Sequence, residues 1–162
     1  MPYHYTIKPN DPLEAEARRR YYKYDGIACY VDNKQLPFTT PVYRWCNYAN
    51  YDYFYSTDPT GGFAAPAPKS KYVPPGIAFW IYKTQQEGTI PFYVLHHPLK
   101  GIHFYTVDQS EEVVKVSKGY TRKGVLGYVY ARPVAEAVPL YRYCTAAEGE
   151  LGEVVTQGEI RK

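Results

Sequence analysis

The sequence predicts an all-β domain assembled from three look-alike units. Three observations carry that reading: a repeat of about 50 residues, blocks rich in β-branched and aromatic residues between turn formers, and termini that each hold part of one unit. "PVYRWC" at 41–46 recurs as "PFYVLH" at 91–96 and as "PLYRYC" at 139–144. "YHYT" at 3–6 recurs as "YFYS" at 53–56 and "HFYT" at 103–106. "GIACYV" at 26–31 returns as "GIAFWI" at 76–81 and "GVLGYV" at 124–129. The blocks keep one order throughout.

Taken in chain order, the first repeat spans 1–40 and opens directly on its "YHYT" strand. In "DPLEAEARRRYY", Asp11 as N-cap and Pro12 at the first helical position predict a helix before the "GIACYV" strand. The second repeat spans 41–90, and its "DPTGGFAAPAPKSKY" segment holds too much proline for a helix. The third spans 91–138, where Ser110 followed by Glu111 and Glu112 predicts a helix start. The strand at 139–144 then supplies what the first repeat lacks, leaving a tail at 145–162. Within that tail "GELGEVVT" competes with "YHYT" for one strand position. Joining the ends closes a ring of three units and removes exposed strand edges. Three units of about 50 residues, each with three or four short strands, predict a β-trefoil. Fewer than four units argue against a propeller, and polar caps for an open solenoid are missing.

Composition narrows the function classes. A length of 162 residues suits a single domain with one core. Tyr makes up 20 of the 28 aromatic residues, which suits either a polar-edged β core or a sticky surface. With 14 Pro, 12 Gly and one Met, short strands and turns are expected rather than long helices. The net charge of +3 is weak, and Arg18-Arg19-Arg20 follows Glu14 and Glu16 on a solvated face. No basic, aromatic-interleaved track is present, so nucleic acid is not an expected partner. No leader and no apolar span is visible, so no membrane association is expected. The expected location is cytoplasmic, or secreted without a recognisable signal peptide. The three cysteines, Cys29, Cys46 and Cys144, lack metal-ligand spacing and are expected to be reduced. No cofactor or metal is expected.

Catalytic patterns do not assemble. The chain has no nucleophile elbow, zinc motif or phosphate loop. Glu111 and Glu112 are helix neighbours that diverge, unlike the facing carboxylates of a glycosidase. His96 and His97 are adjacent on a strand and point oppositely, so they cannot readily chelate together. A non-catalytic protein is expected.

"VPLYRYC", "GIHFYTVDQSEE" and "GYTRKGVLGYVY" resemble a tyrosine-rich repeat family ("LYR…HFYT…GY…EG…GYVY") of unassigned function. That family occurs in stand-alone fungal proteins and attached to bacterial secreted hydrolases. The resemblance covers residues 1 to about 144; the middle copy departs, with Tyr53 in place of His. It implies a lectin-like, trefoil-like module that binds glycans or cell-wall carbohydrate.

The residues give the same reading a place. Tyr and Gly kept in every copy (Tyr43, Tyr93, Tyr141; Tyr5, Tyr55, Tyr105; Gly26, Gly76, Gly124) are expected to serve the fold. Function is expected where copies share polar residues on the rim. Asp58 and Asp108 follow the second and third strings, and copy one has Lys8 there. Each carboxylate either accepts sugar hydroxyls beside an aromatic face or caps the following turn, and base rates of Asp in turns favour the cap. His103 donates to a ligand hydroxyl or to a backbone carbonyl. Tyr53 and Trp80 are candidate flanking donors or stacking faces, and Arg44 and Arg142 are expected to orient the acids. The rival reading is a protein-interaction role, as a protease inhibitor, defence toxin or enzyme subunit, through the proline-rich loop 58–75. A storage role is the third.

Overall fold

The structure is a computed structural model that describes residues 2–11, 22–47, 52–61 and 73–145. Its strands in chain order are β1 (Tyr3–Thr6), β2 (Tyr22–Val31), β3 (Thr39–Asn47), β4 (Asp52–Ser56), β5 (Val73–Tyr82), β6 (Thr89–His97), β7 (Ile102–Thr106), β8 (Thr121–Tyr130) and β9 (Val138–Thr145). The helix α1 (Gln109–Ser117) lies between β7 and β8. The helix expected after Asp11, most of the 58–75 loop and the tail beyond 145 lie outside the described residues.

All pairings are antiparallel, and they sort into three units of three strands. In each, a central strand that carries the Pro-apolar-Tyr block has a short aromatic strand on one side and a longer Gly-containing strand on the other. The units are β1-β9-β2, β4-β3-β5 and β7-β6-β8. The first unit is built from both chain ends: Tyr3 pairs with Cys144, Tyr5 with Arg142 and Thr6 with Tyr141. The terminal pairing expected from the sequence is present. The units then join through single bridges between their long strands, Tyr30 to Tyr130, Tyr82 to Tyr128 and Asp32 to Trp80.

The result is an all-β protein with one nine-stranded antiparallel sheet among the described residues. That sheet is not closed as a barrel, so the barrel that defines a β-trefoil is not formed by these pairings. Repetition in a sequence reports that units are equivalent, not how their edges meet.

A triangle of tyrosines holds the units together. The Tyr5 hydroxyl donates to the Tyr105 carbonyl at 2.6 Å and accepts from the Tyr105 N–H at 2.8 Å. The Tyr55 hydroxyl does the same for Tyr5, at 3.0 and 2.8 Å, and the Tyr105 hydroxyl for Tyr55, at 3.1 and 2.7 Å. Their rings meet edge to face, with centroids 5.2–5.5 Å apart. Edge-to-face packing is the favoured aromatic geometry, and the hydroxyls satisfy inner-edge backbone groups that no neighbouring strand reaches. This is why that Tyr recurs in every copy.

The other repeated residues also have local causes. Gly26, Gly76 and Gly124 take φ of 111°, 117° and 137° beside register shifts in the long strands, so they mark β-bulges rather than strand starts. The Ser/Thr that ends each short strand accepts from the N–H two residues on: Thr6 from Lys8, Ser56 from Asp58, Thr106 from Asp108. Helix α1 starts from Asp108, two residues before the expected Ser110, because the Asp108 carboxylate accepts from the Ser110 N–H.

Candidate functional site

The outward faces of the units carry the rim positions. Tyr43, Tyr93 and Tyr141 are half-buried rather than core residues. Each sits across from an exposed apolar residue just past the bulge: Tyr43 opposite Ile77, Tyr93 opposite Val125 and Tyr141 opposite Ile27. On the other flank they pair with Ser56, Thr106 and Thr6, the residues that begin the turns. Asp58 and Asp108 therefore stand two residues beyond the partners of Tyr43 and Tyr93. The side-chain amide of Gln109 donates to the Tyr93 hydroxyl at 3.1 Å, tying this ring to the Asp108 turn.

Both carboxylates are exposed and serve as caps. Asp58 Oδ1 accepts from the Thr60 N–H and hydroxyl at 2.8 and 2.6 Å, and Asp108 Oδ1 accepts from Ser110 in the same way at 2.8 and 2.6 Å. The Ser110 hydroxyl, then its N–H, hold the Asp108 carboxyl below the usual carboxylate range.

His103, expected at the rim, is completely buried, as are its neighbours along β7. A short strand at the centre of three units is covered on both faces, so alternation does not bring one face to solvent. His103 Nδ1 donates to Asp52 Oδ2 at 2.8 Å, and its backbone N–H reaches Asp52 Oδ1 at 2.8 Å. Tyr53 is also buried and packs on His4, with ring centroids 4.5 Å apart. Neither side chain is a rim group.

The arginines face inward. Arg44 Nη2 donates to the Tyr5 carbonyl at 2.7 Å, with its guanidinium near the Tyr53 and Tyr55 rings. Arg142 does not orient Asp58 or Asp108; it bridges Asp25 at 2.7 Å and Glu111 at 2.8 Å and lies over the Phe104 ring. Although burial pushes the Glu111 carboxyl up, bonds from Arg142 and Thr106 hold it below its ordinary value. The repeat gave no signal that Asp25 and Glu111 would be the partners of Arg142.

Trp80 is half-exposed and exchanges both backbone hydrogen bonds with Asp32. A surface the sequence did not mark gathers Tyr24, Tyr141 and Tyr143 on the β2–β9 sheet; Tyr24 is 53% exposed. The register Tyr24 opposite Tyr143 is what assembles it, and that pairing depends on joining the chain ends. Lys115 of α1 inserts its ammonium among the rings of Tyr3, Phe104 and Tyr120 and donates to the Tyr3 hydroxyl.

Among the described residues no group of three His, Cys, Asp or Glu side chains is placed to hold a metal ion. His96 and His97 diverge as expected: His96 packs on His103, while His97 satisfies a turn between Lys100 and Lys118. The three cysteines are buried and unpaired with one another, and burial raises their thiols, with Cys46 pushed up to about 11. Such thiols are poor nucleophiles. No described helix is long and apolar enough to cross a membrane.

The structure thus defines an all-β protein of three like antiparallel units. The family model described as Domain of unknown function (DUF5648) matches residues 3–130 and again residues 65–157, and the chain belongs to that family. Two overlapping matches are what an internally repeated chain gives. No curated protein and no solved structure matches the chain.

Proposed function

We propose that the protein is a non-catalytic, lectin-like module that binds glycans or cell-wall carbohydrate on its outward faces. The observation that supports this reading is the recurrence of a half-exposed tyrosine beside an exposed aliphatic residue, with a turn carboxylate at hand in the second and third units. A ring face covers the C–H side of a sugar, and the Asp58 or Asp108 carboxylate accepts hydroxyls and fixes orientation. Shallow, solvent-open contacts of this kind give weak reversible binding, and repetition raises the avidity.

A glycan array with wild-type protein, Tyr93→Ala and Asp108→Asn tests it. Both positions are at the surface, so folding measured by circular dichroism should be retained while binding weakens. A folded wild-type protein that retains no glycan would overturn the reading. The protein-interaction alternative is supported by the five prolines of segment 58–75. Deleting 62–72 separates the two, since glycan binding at Tyr93 does not need that segment.

A further inference from the structure

We propose that His96, stacked on His103 where the third unit meets the second, is an acid-sensitive latch that holds the two units together at neutral pH and lets the third loosen in acid. This inference does not rest on the carbohydrate reading. The starting observation is that three differences between the repeats coincide in space. The cross-strand partners at this place are Tyr3 with Cys144 in the first unit and Tyr53 with Cys46 in the second. The third unit has His103 opposite His96 instead. Asp52 precedes Tyr53, whereas Pro2 and Ile102 hold the same place in the other two units. A Tyr–Cys pair therefore meets the needs of the strand pairing, and two imidazoles beside a carboxylate are an addition to it.

The three side chains meet across the two units. His103 is fully enclosed and bonds to Asp52 of β4 through Nδ1 and through its backbone N–H, each at 2.8 Å. The His96 ring packs on the His103 ring with centroids 4.6 Å apart. His96 is half-buried, and its Nε2 is cut off from solvent with no hydrogen-bond partner. His103 also stacks on Tyr105 of the tyrosine triangle, at 6.3 Å and 20°. A line of contacts thus runs from His96 through His103 to Asp52 and to the centre of the molecule.

A neutral imidazole fits this setting, with Nε2 as its bare nitrogen. A protonated one does not, because both ring nitrogens then donate and the N–H at Nε2 meets no acceptor. Burial opposes the charge most, and His103 of β7, Lys123 of β8 and His97 of the same strand add to it, while Asp52 of β4 favours it. The His96 imidazole is accordingly lowered from its ordinary 6.5 to about 4. The unfolded chain takes the proton near 6.5, so stability is full above that pH and is lost as the pH falls toward 4. Being half-buried, the ring gains its proton by turning outward, which uncovers His103. A metal ion does not explain the trio, since no group of three such side chains is placed to hold one among the described residues.

The test compares the full chain with His96→Phe, which keeps a ring on His103 but cannot titrate. His96→Cys, the residue of the other two units, serves as a second variant if the first folds poorly. Urea unfolding between pH 7 and pH 5 should weaken the wild-type folding equilibrium about tenfold more than that of either variant. Hydrogen exchange followed by NMR should show where the loosening lies. At pH 5 the His103 and Tyr105 amides should lose protection, as should the Tyr55 amide, which donates to the Tyr105 hydroxyl. The Tyr5 amide, held by the Tyr55 hydroxyl of the second unit, should keep its protection. The same pH dependence in wild type and a folded variant would overturn the latch. Equal loss of protection at all three triangle amides would mark global unfolding and overturn it too. A wild-type protein that zinc stabilises at pH 7, with no such effect on His96→Phe, would make the trio a metal site and overturn the switch.

Discussion

Replacing Tyr5 by Phe removes one oxygen from the centre of the molecule and leaves the ring packing intact. That oxygen satisfies both the N–H and the carbonyl of Tyr105, at 2.8 and 2.6 Å. A net hydrogen bond contributes about 1 kcal/mol, and a buried backbone group left without its partner costs about 1–3 kcal/mol more. The expected loss is therefore about 2–4 kcal/mol, a large part of an ordinary domain's stability. Tyr55→Phe should cost less, about 1–2 kcal/mol, because the Tyr5 carbonyl it abandons still receives Arg44 Nη2 at 2.7 Å. Tyr105→Phe should resemble Tyr5→Phe. Urea unfolding followed by far-UV circular dichroism measures all three, with an unchanged m-value as the check that only stability moved. A Tyr5→Phe protein within about 0.5 kcal/mol of wild type, or a Tyr55→Phe protein the least stable of the three, would refute the reasoning.

Arg142→Met keeps the stem packed on Phe104 but strands Glu111 and Asp25; both are about a third exposed, so thermal unfolding should show a moderate loss of about 1–3 kcal/mol. Gly127→Ala puts a Cβ 2.5 Å from the Ile81 side chain and 2.8 Å from the Tyr82 carbonyl, at the junction of β8 and β5. It should destabilise by about 1–3 kcal/mol in denaturant, and a neutral effect would show that the seam is looser than its geometry. Burial raises Tyr5 and Tyr105 well above the ordinary tyrosine value, so the folded chain keeps protons that the unfolded chain releases. Stability is thus full below about pH 10 and falls by roughly 1.4 kcal/mol per pH unit per tyrosine above it. Tyrosinate absorbance should rise together with the loss of circular dichroism; a complete rise in a still-folded protein would contradict the buried triangle.

The number of units, their block order and the pairing of Tyr3–Thr6 with residues 141–144 were legible in the sequence, because a strand missing at one end reappeared at the other. The α1 helix was legible too, to within its cap, since a short acidic start is a local signal. Gly26, Gly76 and Gly124 announced unusual backbone angles by recurring, although not that they were bulges. Exposure was not legible. His103 and Tyr53 belong to strands enclosed by the other two units, and period-two alternation tells faces apart without telling which faces stay dry. Nor were partners: Arg142 meets Asp25 and Glu111 across 117 and 31 residues, and Asp32 meets Trp80 only where two units touch.

Local chemistry and repetition in the amino-acid order determined that there would be three equivalent β units completed across the chain ends. The packing of those units about the tyrosine triangle decided which side chains are enclosed and which reach solvent. The reason is physical: strand propensity and turn preference act over a few residues, whereas burial and ion pairing depend on surfaces that exist only after the units have met.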